Sequence, residues 1–302
     1  MSGSMSLPEL FAKFPDDDTA EAWFVEQRWP DGVHCVFCGS ENVAERASRK
    51  PQPYRCRSCR RNFSVKTGSL MHASKLGCRV WVLAIYLMST SVKGVSNPKL
   101  HRDLGVTQKT AWYLAHRIRA AWENHPQPFA GPVETDTAWI GGKAKNMHAT
   151  VRRQRVHGSN SHLVPVMGVR DRPTGDVAAE AVAREDSATA REFLRDHTTG
   201  PVMVYTDDSK IYARLPRHRS VNHSRGQYVD GSCHTNRIES FWALFKRGHY
   251  GTYHQISPQH LHRYITEFCG RHNMRHLTAG ERIGRVAAAL DGRHLPYAEL
   301  VA

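Results

Sequence analysis

Long apolar runs are missing from this 302-residue chain. No stretch reaches the roughly 18 apolar residues that a membrane helix needs. The longest apolar segment, Val80 to Met88, has the length of a core helix. The first residues lack a basic segment followed by an apolar one, so no secretory leader is expected and the cytoplasm is the expected location. Cysteine is sparse and odd in number, at seven, which argues against a disulfide framework. Acidic residues are also short: 28 Asp and Glu against 42 Lys and Arg, a formal net charge of +14. That imbalance is the electrostatic footprint of a nucleic-acid partner. A generally solvated basic surface or a membrane-surface binder carries the same sign. Arg outnumbers Lys, and the guanidinium suits bidentate phosphate contact. At 40% hydrophobic and 23% charged, the rest is ordinary for a globular protein with room for two or three domains.

The cysteines that are present are ordered. Cys35-Val-Phe-Cys38 and Cys56-Arg-Ser-Cys59 are two Cys-x2-Cys knuckles, the spacing of a closed four-thiolate zinc site. Structural Zn2+ is therefore expected, inside a small ribbon covered by Tyr54 and Phe63. The basic run Arg55, Arg57, Arg60, Arg61 and Lys66 adds a phosphate-facing surface. Ahead of the ribbon, residues 6–29 fit two short amphipathic helices. After it, residues 74–122 read as helices, with a short one at 96–105, a turn at Gly105-Val106 and a third helix capped by Thr107. Helix, short turn, helix is the grammar of a DNA-binding helix-turn-helix, though a plain helical bundle shares it. Gln108, Lys109, Tyr113 and His116 are placed to reach bases or phosphates, with Arg117 and Arg119 further along. A Pro-rich linker follows to Pro132.

From there the pattern turns to strands. Pro132 to Gly142 reads as a first strand, whose alternation puts Glu134, Asp136 and Ala138 on one face. A basic loop carries Lys143 and Lys145. Strands are expected near 163–169, 176–182, 201–206 and 218–223, with a helix at 187–197. His234 to Arg247 is an amphipathic helix with Ile238, Phe241, Trp242 and Phe245 on its apolar stripe. Asn236, Glu239, Ala243 and Lys246 lie on an arc beside it. A last long helix spans 257–275, and the residues after it look peripheral. Three meandering strands, a helix, a buried strand and then helices is ribonuclease-H-like order, in which the first and fourth strands are neighbours. Asp136 and Asp207 would then lie together, with Glu239 brought against them. Three converging carboxylates suit a hard divalent cation, Mg2+ or Mn2+, for phosphodiester chemistry. A mid-strand Asp136 among apolar neighbours is costly without such a partner. Asp208 competes with Asp207, and Glu134 is either a supporting acid or an ion-pair partner.

Four stretches carry a resemblance: the paired knuckles; Gly-Val-Thr-Gln-Lys-Thr-Ala-Trp at 105–112; Val-Glu-Thr-Asp with Ile-Gly-Gly-Lys at 133–143; and His-Thr-Asn-Arg-Ile-Glu-Ser-Phe-Trp with Phe-Lys-Arg-Gly-His-Tyr-Gly-Thr-Tyr-His at 234–254. The chain resembles bacterial insertion-sequence transposases of the zinc-ribbon DDE type, the ISXO-like group. The resemblance implies a DDE enzyme that cuts element ends and joins 3′-hydroxyls to a target, as a homo-oligomer on terminal inverted repeats. In a cell the chain would be nucleoid-associated, with DNA as partner and no membrane. It matches Asp136 and Asp207 to the first two acids and Glu239 to the third, with Asn236 the competing third ligand and Lys246 seven residues on. Thr137 departs from relatives that carry Glu there. The expected fold class is α/β, in four parts. Residues 6–66 hold helices and a zinc ribbon, 74–124 a helix-turn-helix, 131–280 the ribonuclease-H-like domain and 281–302 a tail. A DNA-binding regulator with an inactive C-terminal domain, or a nuclease that hydrolyses without joining, are the rival readings.

Overall fold

The computed structural model describes residues 5–123, 128–142, 149, 163–213, 215–221 and 234–302. The chain divides into two compact units, Met1–Trp122 with His276–Ala302, and Glu123–Arg275. No described helix is long and apolar enough to cross a membrane.

The first unit combines a small antiparallel sheet with helices. The sheet joins β1 (Val43–Glu45), β2 (Tyr54–Cys56) and β3 (Asn62–Phe63) in sequence order. Helices α1 (Leu7–Lys13) and α2 (Asp17–Arg28) precede it, and α3 (Cys78–Thr90), α4 (Asn97–Leu104) and α5 (Gln108–Ala121) follow. Side-chain oxygens that accept otherwise orphaned amides fix where these helices begin. Ser6, Asp16, Ser96 and Thr107 each cap the helix that follows. Gly105, with φ 64°, ends α4 in the left-handed region that glycine enters without a Cβ clash. Residues 281–302, expected as a peripheral tail, instead send several apolar side chains into the core of the first unit. α9 (Ala279–Ala288) buries Ile283 and Val286, and Leu290, Leu295 and Leu300 are buried after it. The segment is short and its apolar residues are spread over two elements, so its pattern reads weakly until the partner surface is known.

The second unit is a five-stranded sheet in the order β6-β5-β4-β7-β8. The strands are β4 (Val133–Ile140), β5 (Val164–Asp171), β6 (Val177–Ala181), β7 (Val204–Thr206) and β8 (His218–Ser220). The first three pair antiparallel, and β7 runs parallel to both β4 and β8. Strand alternation sends neighbouring residues to opposite faces. Val133, Met167, Val169 and Val204 pack with Ala190, Phe193 and Leu194 of the helix between β6 and β7, α6 (Ser187–His197). Ala138, Ile140, Val166 and Val177 pack with α7 (Asn236–Gly248) and α8 (Leu261–Asn273). Ile238, Phe241, Trp242 and Phe245 are each at most 3% exposed. Burial is worth roughly 1.5–3 kcal/mol for each such side chain. That stripe, and no surface ion pair at about 0–1 kcal/mol, seats α7 on the sheet. A short turn of π-helix (His249–Tyr253) and a 3-10 turn (Pro258–His260) then lead into α8.

Candidate functional site

The parallel pairing of β4 with β7 sets Val133 beside Val204 and Glu134 beside Tyr205. Carrying that register forward brings Asp207, just past the end of β7, level with Asp136. The electrostatics agree. Burial pushes the Asp136 carboxyl up to about 7, and the negative charges of Asp207 and Glu239 push the same way. The Thr137 amide and the Lys246 ammonium oppose them. Asp136 Oδ1 accepts that amide at 2.8 Å. Asp207 is half-buried, and its Oδ1 accepts from the Ser209 amide at 3.2 Å. Asp208, its rival, is exposed.

The third acid comes from α7. Glu239 is half-buried, and its Oε1 accepts the Thr235 hydroxyl at 2.8 Å. Thr235 is the N-cap residue, but its side chain caps no backbone amide. The hydroxyl expected to start the helix holds Glu239 instead. Asn236 is exposed at the first position of α7. Lys246 is half-buried two turns on.

Sequence reading passed over several residues here. Gly168 on β5 pairs with Asp136 across the sheet. A Cβ at Gly168 would fall 2.4 Å from Cζ2 of Trp242, so only glycine lets α7 sit this close to the strand. A lone glycine inside an apolar strand is the signal that marks it. On the opposite face of β4, the Tyr212 hydroxyl lies 3.3 Å from Thr137 Oγ1, and burial raises the Tyr212 pKa. Arg172 stacks 3.7 Å from the Tyr205 ring centroid and donates to the His234 carbonyl at 2.7 Å.

In the first unit the four knuckle cysteines converge. Their sulfurs all lie within 4.8 Å of one another, with Cys35 to Cys59 at 3.5 Å and Cys38 to Cys56 at 3.7 Å. A tetrahedral zinc ion with Zn–S bonds of about 2.3 Å needs sulfurs about 3.8 Å apart, so the donor set fits. The Cys59 amide donates to Cys56 Sγ at 3.4 Å, a contact that favours the thiolate form. Gly39 turns the first knuckle at φ 73°.

The DNA contacts expected on α5 divide. Gln108 and Lys109 are exposed, and Lys109 lies over the Tyr297 ring at 4.6 Å. Tyr113 donates its hydroxyl to the Leu295 carbonyl at 2.7 Å. Arg117 is 4% exposed, donates to the His72 carbonyl and stacks on Trp81 and Tyr113. His116 and Arg119 are buried too. The expectation of an outward Arg117 is therefore corrected: α5 is covered on more sides than its sequence implies, because chain from residues 72 and 293–297 wraps it. Lys143 and Lys145 lie outside the described residues.

Residues 15–62 match the transposase zinc-ribbon domain, and residues 128–273 match the ISXO2-like transposase domain. An uncharacterized protein in the transposable element ISH50 of Halobacterium salinarum is 27% identical over 271 residues, covering 84% of this chain and 90% of that protein. A simian T-cell lymphotropic virus intasome, solved by cryo-electron microscopy with PP2A regulatory subunit B56 gamma, is 17% identical over 50% of this chain and 55% of its own. Its TM-score of 0.26 is too low to bear on the fold. A zinc-ribbon match, a separate transposase-domain match over the second unit and a relative from a mobile element agree: the chain belongs to the ISXO2-like transposases.

Proposed function

We propose that this transposase cuts DNA at the ends of its element and joins the freed 3′-hydroxyls to target DNA, with Asp136, Asp207 and Glu239 as ligands of Mg2+ or Mn2+. The observation that carries the reading is the parallel register of β4 and β7, which brings Asp207 level with Asp136 on the strand face that α7 covers; the negative charges of Asp207 and Glu239 both act on the buried Asp136 carboxyl. Like charges drawn together are unfavourable alone and favourable around a cation. Their oxygen donors are the kind that hard divalent ions prefer. Bound there, such ions activate an attacking oxygen and stabilise a leaving one.

The protein's part is placement. The Thr137 amide and the Thr235 hydroxyl each hold one oxygen of Asp136 and Glu239. Lys246, whose charge is felt at Asp136, contacts a DNA phosphate. Glu239 rather than Asn236 is the third ligand, because Glu239 acts on Asp136 while Asn236 sits exposed at the helix start. The strand order, with β4 between an antiparallel and a parallel neighbour, supports a ribonuclease-H-like fold. The zinc ribbon is held by a structural Zn2+ on Cys35, Cys38, Cys56 and Cys59. α4 and α5 act as a helix-turn-helix whose exposed contacts are Gln108 and Lys109. Lys143 and Lys145 add charge for phosphates. Two element ends must be held together, so the working form is a homo-oligomer on DNA.

The test uses the purified chain, Mn2+ and oligonucleotides bearing the element ends. Cleaved and joined products are expected from the wild type and neither from Asp207→Ala. Full activity in Asp207→Ala contradicts the site. Hydrolysis of pre-cleaved ends without joining identifies a nuclease, and DNA binding without either product identifies a regulator.

A further inference from the structure

Glu134 is a buried acid that this chemistry does not use. It lies two residues before Asp136 on the same face of β4 and is 0% exposed. Its Oε2 accepts the backbone N–H of Ile238 at 3.1 Å. Ile238 is the third residue of α7, so this amide is one of those with no partner inside the helix. The cap residue, Thr235, leaves it uncapped. Glu134 therefore caps α7 from the strand, where a local side chain ordinarily does so, and a carboxylate there also suits the positive end of the helix dipole.

The other oxygen faces nitrogen. Glu134 Oε1 lies 3.2 Å from Arg172 Nε, 3.6 Å from His234 Nδ1 and 3.8 Å from Arg170 Nη1. A second nitrogen of Arg172 donates to the His234 carbonyl, just before the cap. One acid thus ties β4, β5 and the approach to α7 together. One residue beyond the capped amide is Glu239, and two residues along the strand is Asp136. Stability alone does not call for such a group, since apolar residues of similar size often hold a buried interface as well as ions do. What a charged cap adds is a fixed register.

We infer that Glu134 is the positioning residue that sets Glu239 against Asp136, by capping α7 from β4. The inference rests on the proposal that Asp136, Asp207 and Glu239 bind the divalent ion. Supporting side chains around a metal site commonly change its affinity 10–100-fold when replaced.

The experiment is Mn2+ titration calorimetry on the zinc-loaded full-length chain, beside circular dichroism and binding of element-end DNA. Glu134→Gln keeps the size and an acceptor oxygen and removes the charge. It is expected to fold and to bind DNA as the wild type does, with Mn2+ bound about tenfold more weakly. Arg172→Lys keeps a cation but loses the second contact to His234. A severalfold loss of Mn2+ affinity is expected from it, and it decides the matter if Glu134→Gln does not fold. A folded variant with wild-type Mn2+ affinity overturns the positioning role, because a purely structural acid would lower the melting temperature and leave the metal affinity alone. Asp136→Asn separates the two layers of the argument. If it too binds Mn2+ like the wild type, the metal site is wrong. If it loses Mn2+ while Glu134→Gln does not, only the role of Glu134 falls.

Discussion

The two candidate metal sites of this protein are opposite designs. The ribbon gathers four thiols from two short knuckles and a three-stranded sheet, with every sulfur within 4.8 Å of the others. Among the described residues, no carboxylate group is gathered in that way. Asp136, Asp207 and Glu239 arrive from a strand, a strand end and a helix, and meet as mutually repelling charges. A closed thiolate site saturates its ion and does structural work. An open carboxylate site leaves positions for water and phosphate, which catalysis needs. The ribbon can therefore be built from local turns, whereas the acids depend on the register of β4, β7 and α7.

The contrast is sharpened first by removing zinc. Structural zinc sites of this kind carry apparent binding free energies of about 10 kcal/mol or more. Chelation at neutral pH is expected to unfold the ribbon, read as loss of amide protection in β1 to β3, and to leave the second unit folded. Next in size is Asp136→Ala. Losing a metal's charge stabilisation is worth several kcal/mol, and about 4 kcal/mol is roughly a 10³-fold slower cleavage. Single-turnover rates should fall by that order with no loss of helical signal. Gly168→Ala comes third. The added methyl collides with Trp242, and overpacking of this kind costs about 1–3 kcal/mol. Denaturant unfolding should report that loss, together with weaker Mn2+ binding as α7 is pushed from the strand.

The smallest effect is pH. Asp136 keeps its proton up to about pH 7 in the metal-free protein, against 3.8 for a free carboxyl. Its contribution to stability is fully present below pH 3.8 and is lost as pH rises to about 7, since the folded state holds the extra proton in that window. Mn2+ must displace the same proton. Affinity is expected to fall about tenfold per unit below pH 7, about 1.4 kcal/mol per unit, when measured by calorimetry, and a flat profile over that range would contradict the assignment of the proton to Asp136.

What could be read from sequence follows the same division. The knuckles were legible because their chemistry is written in spacing. Alternation along β4 and the apolar stripe of α7 already suggested that Asp136 and Glu239 face one another, and the charges of Glu239 and Asp207 do act on Asp136; their role as metal ligands is the proposal above. α5 shows where such reading stops. Its polar residues suggested a free face, but Arg117 is spent on the His72 carbonyl and Tyr113 on Leu295. Helix periodicity reports one buried side and cannot report chain that returns from residues 72 or 295 to cover another. The same long-range packing hid the buried role of Ile283 and Val286. The cap that Glu134 gives Ile238 spans 104 positions in sequence, so no local motif announces it. Gly168 carried a signal, a lone glycine in an apolar strand, whose meaning needed Trp242 beside it.

The most direct measurement is anomalous scattering from crystals of the zinc-loaded protein soaked in Mn2+. A manganese peak ligated by Asp136, Asp207 and Glu239, with Asn236 turned away, is the expected result. A peak bound by Asn236 in place of Glu239 would contradict the assignment of the third ligand. No peak at these acids in Mn2+ that supports cleavage would contradict the site itself.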